Sequence, residues 1–403
     1  MTTDTLELRE APALELDPFA DDYLLHPYPH HERLRAAGPV VRLPQYDCHA
    51  SGRYAVVKAI LEDPATFCSG AGVGLTNFRK EPPWRVPSLV LETDPPDHTR
   101  NRAAISRALS PVILRNLREG FQQEAHALVA RLLDQGGTIE AVREFAEVFP
   151  LKVFADAVGL RQDNRRDNLV AYGNMVFNTM GPRNQHYANA MANAEAVAKW
   201  VWEACQRSAL TPDGLGARIF EAVDAGILDE KQGATLVRSF LSAGIDTTAN
   251  AIGLALHCFA LHPEQWDLLV ADPELARSAF EEVLRFGSPF QTFFRTTTRE
   301  TQVAGIRLGE NEKILLSLGS SNRDPAKWDR PDIFDIRRSA AGHLAFGAGI
   351  HGCVGQMMAR LEVEVLLRAL AARVKRIELA GVARIQPHNT LRGFAVLPVR
   401  LVS

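Results

Sequence analysis

The sequence predicts a mainly α-helical protein with small β-sheets, folded as a single domain. Most of the chain shows apolar residues at helical spacing, interrupted by short strand-like runs. One stretch, residues 231–262, keeps this spacing without a proline, and as one helix it would span roughly 48 Å. No Gly/Ser or Pro tract divides the 403 residues and no repeat is present, so we expect one large core despite the length.

The shorter elements are identified by their boundary residues and spacing. A helix is predicted to begin near Asp97, because the prolines of the preceding Asp94-Pro95-Pro96 run are tolerated at a helix start. Another helix is predicted to carry Glu282 and Arg285, and a further one to cover residues 356–374. Strands are predicted over residues 40–43, 301–303 and 313–316.

Composition excludes several classes of protein. A net charge of −3 argues against nucleic acid as a partner, and the 46% hydrophobic fraction suits a large core. Residues 1–22 are polar and acidic, and no apolar run reaches the about 18 residues of a membrane span, so we expect a soluble cytoplasmic protein. A disulfide framework is not expected, because the cysteines are odd in number and scattered, at Cys48, Cys68, Cys205, Cys258 and Cys353.

The most informative segment is a glycine-rich run that contains one cysteine. Glycines let the backbone turn tightly and approach a flat macrocycle, and they free N–H groups to point at a sulfur ligand. A thiolate is one of the axial ligands that haem iron takes in proteins, so Cys353 is predicted to bind haem iron. A buried free cysteine is the alternative. The run is Phe346-Gly347-Ala348-Gly349-Ile350-His351-Gly352-Cys353-Val354-Gly355.

Further runs show that the cysteine segment does not stand alone. In order and separation they resemble those of the cytochromes P-450, a family of haem-thiolate monooxygenases, from about Tyr28 to the chain end. The resemblance implies a domain over residues 28–403 after a polar extension of residues 1–27, with haem b (heme b, iron protoporphyrin IX) between a long distal helix and the Cys353 loop. The lack of a membrane anchor is typical of bacterial members. The runs are Ala243-Gly244-Ile245-Asp246-Thr247-Thr248, Glu282-Val283-Leu284-Arg285, His98-Thr99-Arg100-Asn101-Arg102 and Asn322-Arg323-Asp324-Pro325.

The first of these runs is predicted to activate oxygen. A glycine lets another group approach the helix closely, and the Thr247 hydroxyl can bond back to the carbonyl of Ala243 and open a groove. A hydroxyl backed by a carboxylate suits proton delivery to bound oxygen, so Thr247 is predicted to orient and Asp246 to supply the proton. The resemblance favours Thr247 over Thr248. Ordinary polar residues on a solvated helix face are the alternative.

The haem is predicted to be held through its two propionates. His98 and Arg102 lie four residues apart on one helix face, where a charge-assisted bond to a carboxylate is strong. For His98 alone, a surface histidine is the alternative. The resemblance adds Arg295 and His351 as propionate contacts, and Phe346 and Gly347 as haem contacts.

The resemblance also implies a structural brace for the cysteine loop. In the family, the residues at Glu282 and Arg285 form a buried ion pair, and breaking such a pair is costly. A third partner, an arginine, often precedes the Phe of a Pro-Asp-x-Phe run. Here that position holds Ile333, so Arg337 is a candidate to replace the missing arginine.

Within the family, the chain resembles most the bacterial enzymes that oxidise para-substituted benzoates, notably 4-methoxybenzoate. The matching runs are Trp84-Arg85-x-Pro87-Ser88, Arg238-Ser239 and Gln291-Thr292-Phe293-Phe294-Arg295. The resemblance implies that Arg85, Ser88, Arg238 and Ser239 hold the substrate carboxylate, directly or through water. A solvated loop for Arg85 and a salt bridge elsewhere for Arg238 are the alternatives.

The apolar part of the substrate is expected to pack against a set of side chains for which ordinary core packing is the alternative. They are Leu91, Phe177, Ala243 and Phe293. Two neighbouring positions differ from the relatives that the chain resembles. Phe290 stands where a smaller aliphatic residue is expected, and Met180 where an aromatic is expected. A narrower cavity near the iron is therefore predicted.

The resemblance implies insertion of one oxygen atom from O2, by O-demethylation or hydroxylation, with electrons from NAD(P)H through a ferredoxin reductase and a separate iron–sulfur ferredoxin. Arg107, Arg115 and Arg118 are candidates to attract an acidic ferredoxin, or they form an ordinary solvated basic face. A different small aromatic acid, peroxide-driven or isomerase chemistry, and a haem gas sensor are the alternatives. The Asp246-Thr247 pair argues against the hypotheses of peroxide-driven and isomerase chemistry. The lack of an evident signalling module argues against a haem gas sensor.

Overall fold

Helices dominate the computed structural model, which describes residues 9–161 and 165–403. Within these residues the α-helices are α1 (Asp21–Leu25), α2 (Pro27–Ala37), α3 (Tyr54–Glu62), α4 (Asp97–Ala108), α5 (Pro111–Gln135), α6 (Val148–Val158), α7 (Asn168–Asn178), α8 (Gln185–Ala190), α9 (Ala194–Ala204), α10 (Leu215–Asp224), α11 (Glu230–Ala243), α12 (Asp246–Leu261), α13 (Pro263–Ala271), α14 (Ala276–Gly287), α15 (Leu318–Ser321) and α16 (Gln356–Ala371).

In the described part of the chain the strands are short and form four small sheets. They are β1 (Val41–Leu43), β2 (Cys48–Ser51), β3 (Phe67–Cys68), β4 (Thr138–Glu140), β5 (Thr292–Thr297), β6 (Thr301–Val303), β7 (Ile306–Leu308), β8 (Lys313–Ser317), β9 (Arg376–Leu379), β10 (Arg384–Gln386), β11 (Gly393–Val396) and β12 (Pro398–Val402). The largest sheet has the order β1-β2-β8-β5-β3, in which only β2 and β8 run parallel. The other sheets are β4-β12-β9, β10-β11 and β6-β7. The mainly helical fold class is confirmed, and β1, β6 and β8 lie within one residue of their predicted bounds.

The predicted single helix over residues 231–262 is wrong, because the chain forms two helices there. Helix α11 ends at Ala243 and α12 begins at Asp246. Gly244 lies so close to the Phe154 ring that a Cβ would collide with it, which explains the glycine. The Thr247 hydroxyl donates to the Ala243 carbonyl at 2.7 Å and bridges the interruption. The break therefore opens the chain at the residues predicted to act on oxygen.

Two other predicted helices are found where expected, and one is shorter. Helix α4 begins at Asp97, and α14 carries Glu282 and Arg285. Helix α16 ends at Ala371, three residues before the predicted end. Helices α5 and α14 pack on α16, which fixes the loop that precedes α16 against the helical core. In the described part of the chain, no helix has the length and apolarity that crossing a membrane requires.

Residues ahead of α2 lie against the largest sheet. Leu16, Phe19 and Tyr23 are buried in a small apolar cluster together with residues of β1 and β8. The Leu14 N–H donates to the carbonyl of Arg42 in β1 at 2.9 Å. Residues 1–8 of the predicted polar extension lie outside the described residues. The division of the chain between residues 27 and 28 stays a proposal.

Candidate active site

A mainly apolar cavity lies between the break of the two central helices and the loop before α16. Thr247 of α12 and Cys353 of the loop both contribute to its lining. Of the side chains predicted to contact substrate, those that line the cavity are Arg85, Ser88, Leu91, Phe177, Arg238, Ser239, Ala243, Phe290 and Phe293. The fold therefore brings together residues that are separated by more than 250 positions in the chain.

The cysteine loop is shaped by glycines with left-handed backbones. Gly347 and Gly349 have φ angles of 68° and 67°, and a Cβ on Gly349 would collide with the Leu61 carbonyl. The Cys353 N–H donates to the Phe346 carbonyl at 2.8 Å and closes the loop. Burial raises the pKa of the Cys353 thiol, whereas the backbone N–H of Gly355 lowers it. The loop thus presents a sulfur with an N–H donor beside it, as predicted for a metal ligand.

Four buried or partly buried cationic or basic side chains lie at one edge of the cavity, three of them in its lining and His98 behind His351. His98 and Arg102 come from α4, Arg295 from β5, and His351 from the cysteine loop. The His98 and His351 rings lie 4.4 Å apart, and in the described residues both ring nitrogens of His98 and Nε2 of His351 have no hydrogen-bond partner.

The two guanidiniums of this edge form no ion pair with the described residues, although Asp94 lies close enough to Arg295 to oppose part of the effect of its burial. Arg102 donates to the Gly352 carbonyl at 2.6 Å and Arg295 to the Phe294 carbonyl at 2.9 Å, and neither pairs with a carboxylate of the described residues. Burial lowers the pKa of Arg295 to about 10. Buried cations without partners are costly, so this edge requires anions. The two propionates of a haem fit that requirement.

A fully buried ion pair fastens α14 to the segment before the cysteine loop. Arg285 donates to Glu282 through Nε at 2.7 Å and Nη2 at 2.8 Å, and both residues are 0% exposed. The third partner is Arg338, whose Nε lies 3.2 Å from the same carboxylate, and the suggestion of Arg337 is wrong. A turn closed by the Arg338 N–H on the Asp335 carbonyl directs Arg338 inward and leaves Arg337 exposed.

Asp246 lies beside the cavity without contributing to its lining. Its carboxyl is buried next to Gly173 of α7, where a Cβ would collide with it. Burial, together with the nearby Glu147, raises the pKa of Asp246 well above its usual value. Both Thr247 and Thr248 line the cavity. Asp246, the predicted acid, is therefore buried and immediately precedes Thr247 in the sequence. Its raised pKa means that the carboxyl keeps its proton to higher pH.

The polar end of the cavity is built by the loop before α4 and by α11. Arg85 forms a two-point ion pair with Glu92, at 2.9 Å and 3.1 Å. The Ser88 and Ser239 hydroxyls lie 3.3 Å apart. Arg238 is 7% exposed and donates to the carbonyls of Val86 and Pro87, at 2.7 Å and 3.2 Å. These groups converge on one side of the cavity and offer hydroxyl and guanidinium donors.

The comparisons with known proteins identify the family. A family model described as Cytochrome P450 matches residues 269–375. Cytochrome p450 CYP199A2 of Rhodopseudomonas palustris is 51% identical over 401 residues, covering 100% of this chain and 97% of that protein. This chain belongs to the cytochrome P450 family.

Solved structures agree with this assignment. The P450 CREJ, in complex with (4-ethylphenyl) dihydrogen phosphate, is 26% identical with a TM-score of 0.86, covering 96% of this chain and 98% of that one. CYP109Q5 from Chondromyces apiculatus is 30% identical with a TM-score of 0.81, over the same shares of 96% and 98%. The single-domain P450 fold is thereby confirmed, and with it monooxygenase chemistry at a haem b held by a cysteine thiolate.

Three aromatic rings in mutual contact line the cavity of this P450. Phe290 is stacked on Phe293, with ring centroids 4.3 Å apart and planes 3° from parallel. Its edge meets the Phe177 ring at 5.3 Å. Met180, also predicted to contact substrate, is buried but does not line this cavity; it borders a separate small cavity with Trp84 and Glu92.

Three residues of this P450 site were not predicted from the sequence. Glu92 and Arg338 act through partners brought to them by folding, and each had an uninformative local context. Glu362 of α16 lines the cavity, is 0% exposed, and has no hydrogen-bond partner for either carboxyl oxygen in the described residues. The sequence feature that could have predicted Glu362 is an acidic residue within an apolar run, between Leu361 and Val363. Burial raises the pKa of Glu362 well above its usual value.

Proposed function

We propose that this P450 inserts one oxygen atom from O2 into para-substituted benzoic acids, as in the O-demethylation of 4-methoxybenzoate to 4-hydroxybenzoate. The observation that carries the proposal is Arg238, a buried guanidinium whose partners are neutral carbonyls. It stands beside the Ser88 and Ser239 hydroxyls at the polar end of an otherwise apolar cavity. A desolvated carboxylate needs such donors, and an arene needs such walls.

We assign the haem to the space between α12 and the cysteine loop. Cys353 supplies the thiolate, since the remaining cysteines of the described chain do not line the cavity. The edge formed by His98, Arg102, Arg295 and His351 would hold the propionates, and Phe346 and Gly347 would contact the macrocycle. When bound, the haem supplies the iron at which O2 is activated.

The chain's own residues orient the substrate and deliver protons. The serine hydroxyls and Arg238 fix the carboxylate, so the para substituent points away from them along the cavity. Phe290 and Phe293 confine the ring and exclude water. Thr247 presents to the cavity a hydroxyl anchored on Ala243, and the preceding residue, Asp246, is a buried acid whose raised pKa keeps its proton to higher pH. This arrangement supports proton delivery to a mainly apolar cavity.

Electrons are proposed to come from NAD(P)H through a ferredoxin reductase and an iron–sulfur ferredoxin. Arg107 and Arg115 are exposed and offer charge for an acidic partner. Arg118 is already paired with Glu364 of α16 at 3.0 Å, so its charge is partly compensated. Residues 28–403 are proposed as the catalytic domain, acting in the cytoplasm.

One relative lends support to the class of substrate. The ligand named for CREJ is a para-alkyl arene with an anionic group at the opposite end. A para-substituted benzoate has the same layout with a smaller, singly charged head. Shape and charge distribution along the cavity therefore favour an arene with one anionic end, and another small aromatic acid is the nearest alternative.

The proposal is tested by titrating the haem-loaded protein and following the haem absorption change on substrate binding. 4-Methoxybenzoate is expected to bind at least about tenfold tighter than its neutral analogue 4-methoxytoluene, the order of one charge-assisted hydrogen bond. NADH-driven turnover with a surrogate ferredoxin and its reductase should release 4-hydroxybenzoate and formaldehyde. Equal affinity for the acid and the neutral analogue would contradict the proposal.

A further inference from the structure

Glu92 is a buried acid behind the polar end of the cavity, which it does not line itself but reaches through Arg85. Its side chain is 4% exposed, and both of its oxygens accept hydrogen bonds from Arg85. The Ser88 N–H donates to the same carboxylate at 2.7 Å, so Glu92 also fixes the loop that presents the Ser88 hydroxyl. An unpaired acid so close to the proposed place of a substrate carboxylate would repel that carboxylate, but the charge of Glu92 is offset by Arg85.

The charges at this end of the cavity sum to a single positive charge. Arg85 and Glu92 cancel each other in a two-point ion pair. Arg238 has no ion-pair partner among the described residues, and its hydrogen bonds go to backbone carbonyls. Tyr172, which also lines this end, stays neutral because burial raises the pKa of its phenol. The end of the cavity therefore has two guanidiniums and one carboxylate nearby, which leaves one cation, Arg238, uncompensated.

We propose that Glu92 is a specificity-determining residue that restricts this P450 to substrates with one negative charge. By neutralising Arg85 it leaves Arg238 as the only cation to be matched, so a monoanion completes the charge balance. A neutral substrate leaves Arg238 buried without a counter-ion, and a dianion brings a charge that this end does not offset. The inference rests on the proposed binding of a benzoate carboxylate beside Arg238.

Removal of the Glu92 charge separates this role from simple bracing of the loop. Glu92→Gln keeps an oxygen that accepts from Arg85 or from the Ser88 N–H, while the net charge of the end rises from one to two. Two unit charges about 6 Å apart at an effective dielectric constant near 20 interact strongly enough to change affinity about tenfold to a hundredfold. In Glu92→Gln the affinity for a dianion relative to a monoanion should therefore rise by that factor.

The experiment compares three ligands that share the 4-methoxyphenyl group. They are 4-methoxybenzamide, 4-methoxybenzoate and 4-methoxyphenyl phosphate, which carry no charge, one and about two negative charges at pH 8. Dissociation constants are measured by haem absorption for the wild type and for Glu92→Gln. In the wild type the benzoate should bind tightest. In Glu92→Gln the ratio of benzoate to phosphate dissociation constants should rise at least about tenfold.

Two variants separate the effect of the charge of Glu92 from the effect of its side-chain shape. Glu92→Asp keeps the charge and shortens the side chain, so the wild-type order of the three ligands should persist. The double variant Arg85→Gln with Glu92→Gln removes both charges and returns the net charge to one, so the ligand ratios should return towards those of the wild type. Ratios within one variant cancel any common loss of affinity caused by a loosened loop.

Arg238→Gln provides an independent measurement should Glu92→Gln fail to fold. That variant brings the net charge to zero, and the benzamide should then bind at least as tightly as the benzoate. The inference about Glu92 fails if Glu92→Gln weakens all three ligands by one common factor, or if the double variant stays as altered as the single one. If the wild type itself binds benzamide and benzoate equally, the proposed function fails first, whatever Glu92→Gln does.

Discussion

Replacing Phe290 by valine should widen the cavity and change which para substituents are oxidised. Phe290 lies between Phe177 and Phe293, with ring centroids at 5.3 Å and 4.3 Å, and it lines the cavity. Valine keeps the apolar character but removes the ring. The freed space lies where the substrate ring and its para group are proposed to pass, so a bulkier substituent gains room.

The size of both effects follows from these contacts. Two aromatic pairs are lost, each contributing about 0.5–1.5 kcal/mol beyond area burial. Complete truncation of a buried Phe to Ala costs about 3–5 kcal/mol, and valine retains part of the side chain, so we expect the free energy of unfolding to fall by about 2–4 kcal/mol. One methylene in an apolar pocket is discriminated by about 1–3 kcal/mol, which predicts a roughly 10- to 100-fold gain in relative kcat/KM for the larger substrate.

The assay measures kcat/KM for 4-ethoxybenzoate and 4-methoxybenzoate with the same electron-transfer proteins, together with the thermal unfolding midpoint. Phe294→Val is the matched control, because Phe294 is the next residue of β5 after Phe293, is 2% exposed, and does not line the cavity. That control should lose stability without a change in the substrate ratio. If Phe290→Val behaves like Phe294→Val, the ring is ordinary core and the narrowed-cavity argument is refuted.

Three further predictions follow from the same contacts. Arg285→Met should lower the free energy of unfolding by about 3–5 kcal/mol and reduce haem retention, because the buried Glu282 loses its two shorter hydrogen bonds and keeps the 3.2 Å contact with Arg338. Arg338→Met should cost less, since Arg285 still pairs with Glu282, and equal losses in chemical denaturation would contradict the assignment. Thr247→Ala should raise the peroxide released per NADH consumed while substrate affinity stays nearly unchanged, whereas Thr248→Ala should not raise peroxide release. If Thr247→Ala still couples all NADH consumption to product, the proton-relay assignment is wrong. Glu362 has a raised pKa, so the folded protein holds its proton above the unfolded pKa of about 4.3, and stability is lost as pH rises from there through the folded pKa. Glu362→Gln should remove that decline, and parallel pH profiles of the thermal midpoint would show that Glu362 is not buried as a neutral acid.

The sequence by itself determined the features that depend on local spacing. The glycine pattern around Cys353 specifies a tight loop within ten residues, and the Thr247 hydroxyl needs only the carbonyl four residues earlier in its own helix. The helix start at Asp97 follows from the prolines before it. The ion pair of Glu282 and Arg285 joins residues three apart. Each of these features has its partners close along the chain, so the residue types and their distances suffice.

Only the tertiary structure decided two kinds of feature: those whose contacting residues are distant in sequence, and those for which two similar residues could fill one role. The break between α11 and α12 depends on the Phe154 ring that lies against Gly244, ninety residues away. The choice of Arg338 over Arg337 depends on a turn whose direction the sequence does not state. Arg85 and Arg238 look alike as isolated arginines, yet one is neutralised by Glu92 and the other is left with backbone carbonyls. Burial decides these outcomes, because the free energy of removing a charge from water depends on the partners that surround it. Those partners are distant in sequence and are brought together by the tertiary fold.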